Sequence, residues 1–300
     1  MGAPQARLAP GARAAYRPLK LSSDIVGREA GPDEQLIDAR WLMAYSAALG
    51  ESDPRYYDTA AGVLVHPLFP VCYEWPATRE LRERAGLEPF NPWLVHAQHD
   101  LVIHRPAKAP EKLSIAGKVV AAIQRRPGTL VVFRMTARDG SGESVSTTDF
   151  SALYRGVELQ GGDRTVAPLA DPPAHGKVLP KIGEISVPAT AAHVYTECAR
   201  IWNPIHTDVA YARAAGLPDI ILHGTATLAL SVSRVLSAFG IRAVRRVRCR
   251  FAGMVTMPSA LAVHASRDGD EVLFEIRNAR ADAVIERGSV TLSTTSLHAA

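Results

Sequence analysis

Residues 195–228 contain the strongest constraint on the fold, a sharp turn between two helix patterns. Proline disfavours the helical conformation of the residue before it, so Asn203, which precedes Pro204, is expected to end a helix that runs through residues 193–201. The bend then places His206 on a rigid turn and not on a helix face. One histidine is therefore expected at a fixed position between two helices.

A second helix start follows the bend. Thr207 or Asp208 is expected to cap a short helix that Gly216 ends, and a long helix of small residues is predicted from Thr225 to about Ser237, which puts Gly224 at a helix start. Free amide groups at a helix N-terminus, beside a glycine that lets a ligand approach, can polarise a carbonyl oxygen. With an imidazole nearby to move a proton, this pattern suits reactions through the enolate of an acyl thioester.

The sequences NPIHTD and AGLPDIILHG, followed by a small-residue helix, resemble the signature of the MaoC-like, (R)-specific enoyl-CoA hydratases (hydratase 2), a hotdog-fold family. The resemblance implies that His206 moves the proton and that Asn203 fixes the turn and binds water or substrate. It also implies that the backbone amide of Gly224 holds the thioester oxygen. The activity implied is addition of water to a 2-enoyl thioester, or its removal from a 3-hydroxyacyl thioester.

The chain departs from the family at the acid. The catalytic aspartate of the family falls on Ile201 and the glycine before it falls on Arg200. Glu197 lies one helical turn before Ile201 and is the candidate for the missing carboxylate, although a solvated helix residue would look the same. The alternatives are therefore other thioester or enolate chemistry, such as a tailoring dehydratase or a thioesterase, and a non-catalytic subunit that binds acyl-CoA.

Further candidates surround the signature. His223 is expected either to bind the thioester or to satisfy the turn before the long helix. Substrate contact is considered for Tyr195, Trp202, Asp208 and Arg248. Packing is the alternative for the two aromatic residues and helix capping for the aspartate. The arginine belongs to a basic row on a predicted strand, which suits a phosphate-rich carrier or a solvated strand face.

Composition excludes several classes. The apolar share of 47% is enough for a sizeable core, and the net charge of +4 with dispersed basic residues favours a small anionic ligand over nucleic acid. The three cysteines form no CxxC pair, which favours a reducing, cytoplasmic location and predicts no metal site. No apolar run is long enough for a membrane span, and the P-loop, GxGxxG, GxSxG and HExxH motifs are missing.

These patterns predict an α+β double hotdog, in which two antiparallel sheets each wrap a central helix and join side by side. The boundaries expected are a flexible tail at 1–17, a first hotdog at 18–156, a linker at 157–176 and a catalytic second hotdog at 177–300. No cofactor is expected. The partners predicted are an acyl-CoA, with coenzyme A as substrate carrier, or an acyl-carrier thioester, no nucleic acid, no membrane, and a second copy in a homodimer of double hotdogs.

The first half is expected to be degenerate and to shape a substrate tunnel. Residues 33–49 show helical spacing, and the counterpart of the central helix is predicted to be a much reduced segment near 74–85. On the strand predicted at 95–105, His96 and His104 are expected to share one face and His99 to lie on the other.

Overall fold

The fold is known from a computed structural model that describes residues 19–293. The tail predicted at 1–17 lies outside these residues. The helices are α1 Ala39–Ala48, α2 Pro70–Arg84, α3 Ala191–Ala199, α4 Val209–Ala214 and α5 Gly224–Phe239. The strands are β1 Lys20–Ser22, β2 Glu29–Ile37, β3 Leu94–Ile103, β4 Glu111–Arg125, β5 Gly128–Arg138, β6 Ser144–Arg155, β7 Glu158–Gln160, β8 Arg164–Thr165, β9 Lys181–Val187, β10 Val244–Phe251, β11 Ser259–Asp268, β12 Glu271–Arg277 and β13 Ala283–Leu292.

One 11-stranded sheet runs through both halves in the order β2-β4-β5-β6-β3-β10-β13-β12-β11-β9, with β8 paired to β4. Strands β3 and β10 pair antiparallel at the junction, so the predicted continuous sheet is confirmed. Helix α2 packs against β2, β4 and β5, and α5 packs against β9, β11 and β12. Each half is thus a sheet wrapped on a helix, and the double-hotdog prediction is confirmed.

The second half follows the sequence prediction closely. Helix α3 ends at Ala199, two residues before Ile201, and the bend follows it as predicted. Asp208, and not Thr207, caps α4, since its Oδ1 accepts a hydrogen bond from Tyr211 N at 3.1 Å. The last strand, β13, begins at Ala283. Its early part pairs with the neighbouring β12 and also with β10, more than 30 residues earlier in the chain.

The helix predicted over residues 33–49 is wrong in its first part. Residues up to Ile37 form β2, and the helix starts only after Asp38, whose Oδ1 accepts a hydrogen bond from Trp41 N at 2.8 Å. Strand β2 lies at the edge of the sheet. Pro32 has no N–H to donate, but the free side of an edge strand has no neighbouring strand that would need this donor. Pairing with β4 therefore overrides a weak helical pattern.

The central helix of the first half is not reduced. Helix α2 has 15 residues against 16 in α5 and begins at Pro70, before the predicted segment. Its apolar pattern is weak because charged residues fill its outer face, yet the inner face is fully buried, with Tyr73, Ala77 and Leu81 at 1% exposure or less. Packing in the sheet holds this helix although the interior contains Pro76.

The segment predicted as a linker contains two short strands. Strand β7 pairs parallel with β1, and β8 pairs with β4, so residues 157–176 lie partly on the first half. The domain boundaries stay a prediction. None of the helices within residues 19–293 is both long and apolar enough to cross a membrane.

Candidate active site

A cavity of about 1300 Å³ lies where the two halves meet. The second half contributes the bend from Ile201 to His206 and the segment from Ile221 to Thr225. The first half contributes residues of α2, β3 and β6. The predicted bend and the start of α5 are therefore brought together in one cavity, and β3 of the other half forms part of its wall.

His206 is fixed by a single hydrogen bond. It ends the turn Pro204–His206, and its Nδ1 lies 2.8 Å from the carbonyl oxygen of Ile221. A carbonyl oxygen only accepts, so Nδ1 carries the proton and Nε2 keeps its lone pair. Burial lowers the pKa of His206 to about 4. The imidazole is therefore neutral near pH 7, with Nε2 available as a base.

His223 stacks on His206. The ring centroids are 3.7 Å apart with 27° between the planes, and Nε2 of His223 lies 3.2 Å from Thr196 Oγ1. The ring of Tyr195 lies 5.0 Å away on the other side. Burial, and then the neighbouring His206, hold the pKa of His223 well below its usual value. Two neutral imidazoles thus sit face to face, and the buried Tyr195 packs behind them.

Gly224 is the first residue of α5, so its N–H has no acceptor within the helix. No side chain caps this helix end, because the N-cap position is His223 and it makes no capping bond. A Cβ on Gly224 would lie 3.4 Å from Phe251 and 3.7 Å from His96 Nδ1. The missing side chain leaves a narrow gap between the helix end and this aromatic wall, which suits the oxygen of a thioester.

Asn203 and Trp202 lie on the outer side of the bend. The Oδ1 of Asn203 accepts a hydrogen bond from Ile205 N at 3.4 Å and so supports the turn, while Asn203 also lines the cavity. Trp202 lines the cavity with 56% of its surface exposed, at the rim. Both residues line the cavity, and their contact with substrate stays a prediction.

The two positions that depart from the family have clear local explanations. Arg200 adopts a left-handed conformation with φ 59°, which ends α3 and which glycine adopts at less cost. Its guanidinium lies 4.1 Å above the ring of Trp41, a cation–π contact that offsets part of this cost. Ile201 is 5% exposed and lines the cavity, so an apolar side chain stands where the family has its carboxylate.

Four predicted site residues lie outside the cavity lining, namely Tyr195, which packs against His223, and Glu197, Asp208 and Arg248. Glu197 is exposed and lines an adjoining surface pocket of about 390 Å³, which shares Trp202, Asn203 and Pro204 with the cavity lining. Asp208 caps α4, and Arg248 donates to Glu271 Oε1 at 2.7 Å and to Ser289 Oγ at 3.2 Å. Capping and ion pairing on the sheet account for the last two. The placement of Glu197 does not support its proposed role as the missing acid.

The prediction for the histidines of β3 is wrong. His96 and His99 both line the cavity with ring centroids 5.5 Å apart, whereas His104 is exposed and lies 3.0 Å from Thr147 Oγ1. The register with β6 shifts between His96 and Gln98, which marks a bulge at Ala97. One extra residue reverses the alternation, so side chains three apart face the same side.

Glu74 was not singled out in the sequence, yet it lines the cavity at 3% exposure. Its Oε1 accepts hydrogen bonds from Thr148 Oγ1 at 2.8 Å and Ser146 Oγ at 3.1 Å. Burial raises the pKa of Glu74 to about 8 despite these two bonds, so the carboxyl is protonated near pH 7. Its partners lie more than 70 residues away in the chain, and no local signal reveals them.

Glu74 is expected to make stability depend on pH. Between its ordinary pKa of 4.5 and about 8, the folded protein holds a proton that the unfolded chain has lost. The free energy of unfolding should therefore fall as pH rises, by up to about 1.4 kcal/mol per pH unit from this group. Glu74→Gln stays neutral, so its stability relative to wild type should increase from pH 5 to pH 8. Denaturant unfolding at both ends of this range measures the difference.

The control is Met135→Leu, a volume-conserving change elsewhere in the cavity wall. It should keep the pH dependence of wild type. If the unfolding free energies of Glu74→Gln and wild type run parallel over this range, the carboxyl is already ionised and the assignment of its proton is wrong.

Two family models match the chain. Residues 174–287 match the MaoC like domain, and residues 24–148 match the FAS1-like, dehydratase domain region. The crystal structure of a MaoC-like dehydratase from Phytophthora capsici superposes with a TM-score of 0.78 at 21% identity, covering 89% of this chain and 95% of that one. The two matches follow each other along the chain in the same order as the two halves of the fold.

Two peroxisomal enzymes are similar to this chain in sequence. Enoyl-CoA hydratase 2, peroxisomal, of Arabidopsis thaliana is 22% identical over 77% of this chain and 78% of its own length. Peroxisomal multifunctional enzyme type 2 of Mus musculus is 24% identical over 66% of this chain and 26% of its own length. The chain spans about a quarter of the first multifunctional relatives. The histidine turn and the glycine start of the second central helix line one cavity, and both lie in the MaoC like domain that the chain contains at residues 174–287.

Proposed function

We propose that the protein is a hydro-lyase that adds water to a 2-enoyl thioester or removes it from a 3-hydroxyacyl thioester. The observation that carries this proposal is the pairing of His206 Nε2, a neutral base, with the free N–H of Gly224 in one cavity. One group can move a proton while the other holds negative charge on the thioester oxygen.

A single imidazole is sufficient for the reaction. In hydration, Nε2 of His206 takes a proton from water, and the hydroxide adds to the β-carbon. The enolate charge then rests on the thioester oxygen at Gly224 N–H, and the imidazolium returns its proton to the α-carbon. Both hydrogens of the water are accounted for, and Ile201 is not required to ionise. The (R) configuration of the product is carried over from the family.

The thioester carrier proposed is coenzyme A. Three arginines of the first half line the cavity, namely Arg79, Arg82 and Arg155. They suit the phosphates of coenzyme A better than Arg248, whose guanidinium is already paired with Glu271.

The reaction needs no cofactor as written. The cytoplasmic location and the homodimer stay predictions, and the relatives from Arabidopsis and mouse are named as peroxisomal.

The test is an assay of the purified protein with trans-2-enoyl-CoA substrates of several chain lengths. The expected result is loss of the enoyl absorbance with incorporation of labelled water at the β-carbon. Release of free coenzyme A would instead indicate a thioesterase, and binding without turnover would indicate a binding subunit. In Ile201→Asp, a gain well above tenfold would show that the native site is tuned to another reaction.

A further inference from the structure

We propose that Nδ1 of His96, on strand β3 of the first half, accepts a hydrogen bond from the reacting water during hydration. The inference deepens the proposed function and rests on it. In that reaction Nε2 of His206 takes one hydrogen of the water, and the other hydrogen needs an acceptor while the oxygen attacks. His96 is then a second catalytic residue, which orients the water and transfers no proton.

A hydrogen bond on the far side of the ring fixes the tautomer of His96. Its Nε2 lies 3.0 Å from the carbonyl oxygen of Gln98, which only accepts, so Nε2 carries the proton and Nδ1 keeps its lone pair. Burial, and then the neighbouring His99, hold the pKa of His96 well below its usual value. The imidazole is therefore neutral near pH 7, and Nδ1 acts only as an acceptor.

Nδ1 of His96 lies beside the start of α5. It is 3.7 Å from the point where a Cβ on Gly224 would stand. The ring lies between two phenyl rings, since its centroid is 4.2 Å from that of Phe150 and 4.4 Å from that of Phe251. Together with the hydrogen bond from Nε2, these contacts leave the ring little freedom to turn. The acceptor is therefore held in place at the gap where the thioester oxygen is proposed to bind.

The same nitrogen is open to the cavity. His96 lines the cavity, and within residues 19–293 its Nδ1 makes no hydrogen bond. Both ring nitrogens of His99 and Nδ1 of His223 are also unpaired in this part of the chain, but they are enclosed by protein, whereas Nδ1 of His96 is not. Water in the cavity can therefore reach Nδ1 of His96 and none of those three nitrogens.

The acceptor lies close to the carbon that the water attacks. The β-carbon is two bonds from the carbonyl carbon, whose oxygen is proposed to bind the N–H of Gly224, so the attacking water lies near this gap as well. The base is near the same helix start, because the ring of His206 stacks on that of His223, the residue before Gly224. Ile201 lines the cavity and offers no acceptor. Each half of the molecule thus contributes one imidazole nitrogen with a free lone pair to the water.

Two variants separate the two nitrogens of His96. Asparagine can place its Oδ1 where Nδ1 stands and has no atom at Nε2, whereas glutamine can keep an N–H donor to the carbonyl of Gln98 but has a carbon in place of Nδ1. In steady-state hydration of an enoyl-CoA, His96→Asn should stay within about fivefold of the wild-type kcat. His96→Gln should lose about 10- to 100-fold in kcat with little change in KM. A purely structural role of the bond to Gln98 predicts the reverse order.

The matched control is His99→Gln, the same change on the same strand. Its ring nitrogens are enclosed by protein, so this variant should keep the wild-type kcat.

A second measurement supplies a new acceptor from the other half. A carboxylate at position 201 can hold the same hydrogen of the water, so Ile201→Asp should raise the kcat of His96→Gln by about tenfold or more and that of wild type by about threefold or less. A loss of activity that comes only from misfolding would not be restored in this way.

The proposal is overturned if His96→Gln is as active as wild type, or if the asparagine and glutamine variants lose activity equally. It is also overturned if Ile201→Asp changes kcat by the same factor with and without His96. In each of these results wild type still hydrates its substrate, so only the role of His96 fails. Absence of hydration by wild type contradicts the proposed function itself, and the role of His96 with it.

Discussion

Replacing His206 by asparagine is expected to lower kcat about 100- to 10,000-fold, the range for loss of a general base. The asparagine amide can replace Nδ1–H as the donor to the carbonyl of Ile221, so the turn should keep its shape. It has no basic nitrogen in place of Nε2. Steady-state hydration of an enoyl-CoA measures the loss, and the expected KM change is small because the thioester contact at Gly224 remains.

His104→Asn is the control, since this histidine is exposed and contacts Thr147. It should keep wild-type activity. The wild-type pH profile is a second check, because the pKa of His206 is lowered to about 4 and only the neutral ring acts as a base. Activity should be level near neutral pH and fall below about pH 4. A fall that already begins near pH 6.5, or a fully active asparagine variant, would contradict the role of His206.

Replacing Gly224 by proline is expected to lower kcat about 100- to 1000-fold by removing one oxyanion donor. Proline is well tolerated at the first position of a helix, where its missing N–H has no intrahelical partner. The preceding residue, His223, already has φ −57° and ψ 138°, the extended conformation that proline requires before it. The variant should therefore fold with α5 intact and lose only the N–H.

Gly224→Ala separates the amide from the space around it. Its Cβ meets Phe251 and His96 at ordinary contact distances, and its N–H is kept. This variant should lose much less kcat than the proline variant, and any effect should appear mainly in KM. Equal losses in the two variants would mean that room beside the helix end, and not the hydrogen bond, is what the substrate needs.

One wall of the reaction cavity is formed by the first half of the molecule. His96 contacts the gap at Gly224 from β3, next to β10 in the joined sheet. The first half thus contributes directly to the reaction cavity, although it lacks the histidine turn of the second half.

The sequence predicted the second half well because its signals are local. The proline after Asn203, the cap at Asp208 and the glycines that bound the helices each act within a few residues, and the bend, α4 and the start of α5 appear where expected. The chemistry of His206 and Gly224 was proposed from the same short stretch. Such features depend on backbone sterics and capping, which neighbouring residues largely set.

Tertiary structure decided the rest. The bulge at Ala97 brings His96 and His99 to one face, burial raises the pKa of Glu74 although its hydrogen bonds to β6 oppose this, and Glu197 lies outside the cavity lining. Each depends on strand register or burial between segments far apart in the chain. By itself the sequence determined where the base and the oxyanion donor lie. Only the packing of the two halves determined which polar groups surround the substrate. The pKa values follow from desolvation, and the face on which a strand residue lies follows from strand register. Local sequence encodes neither of them.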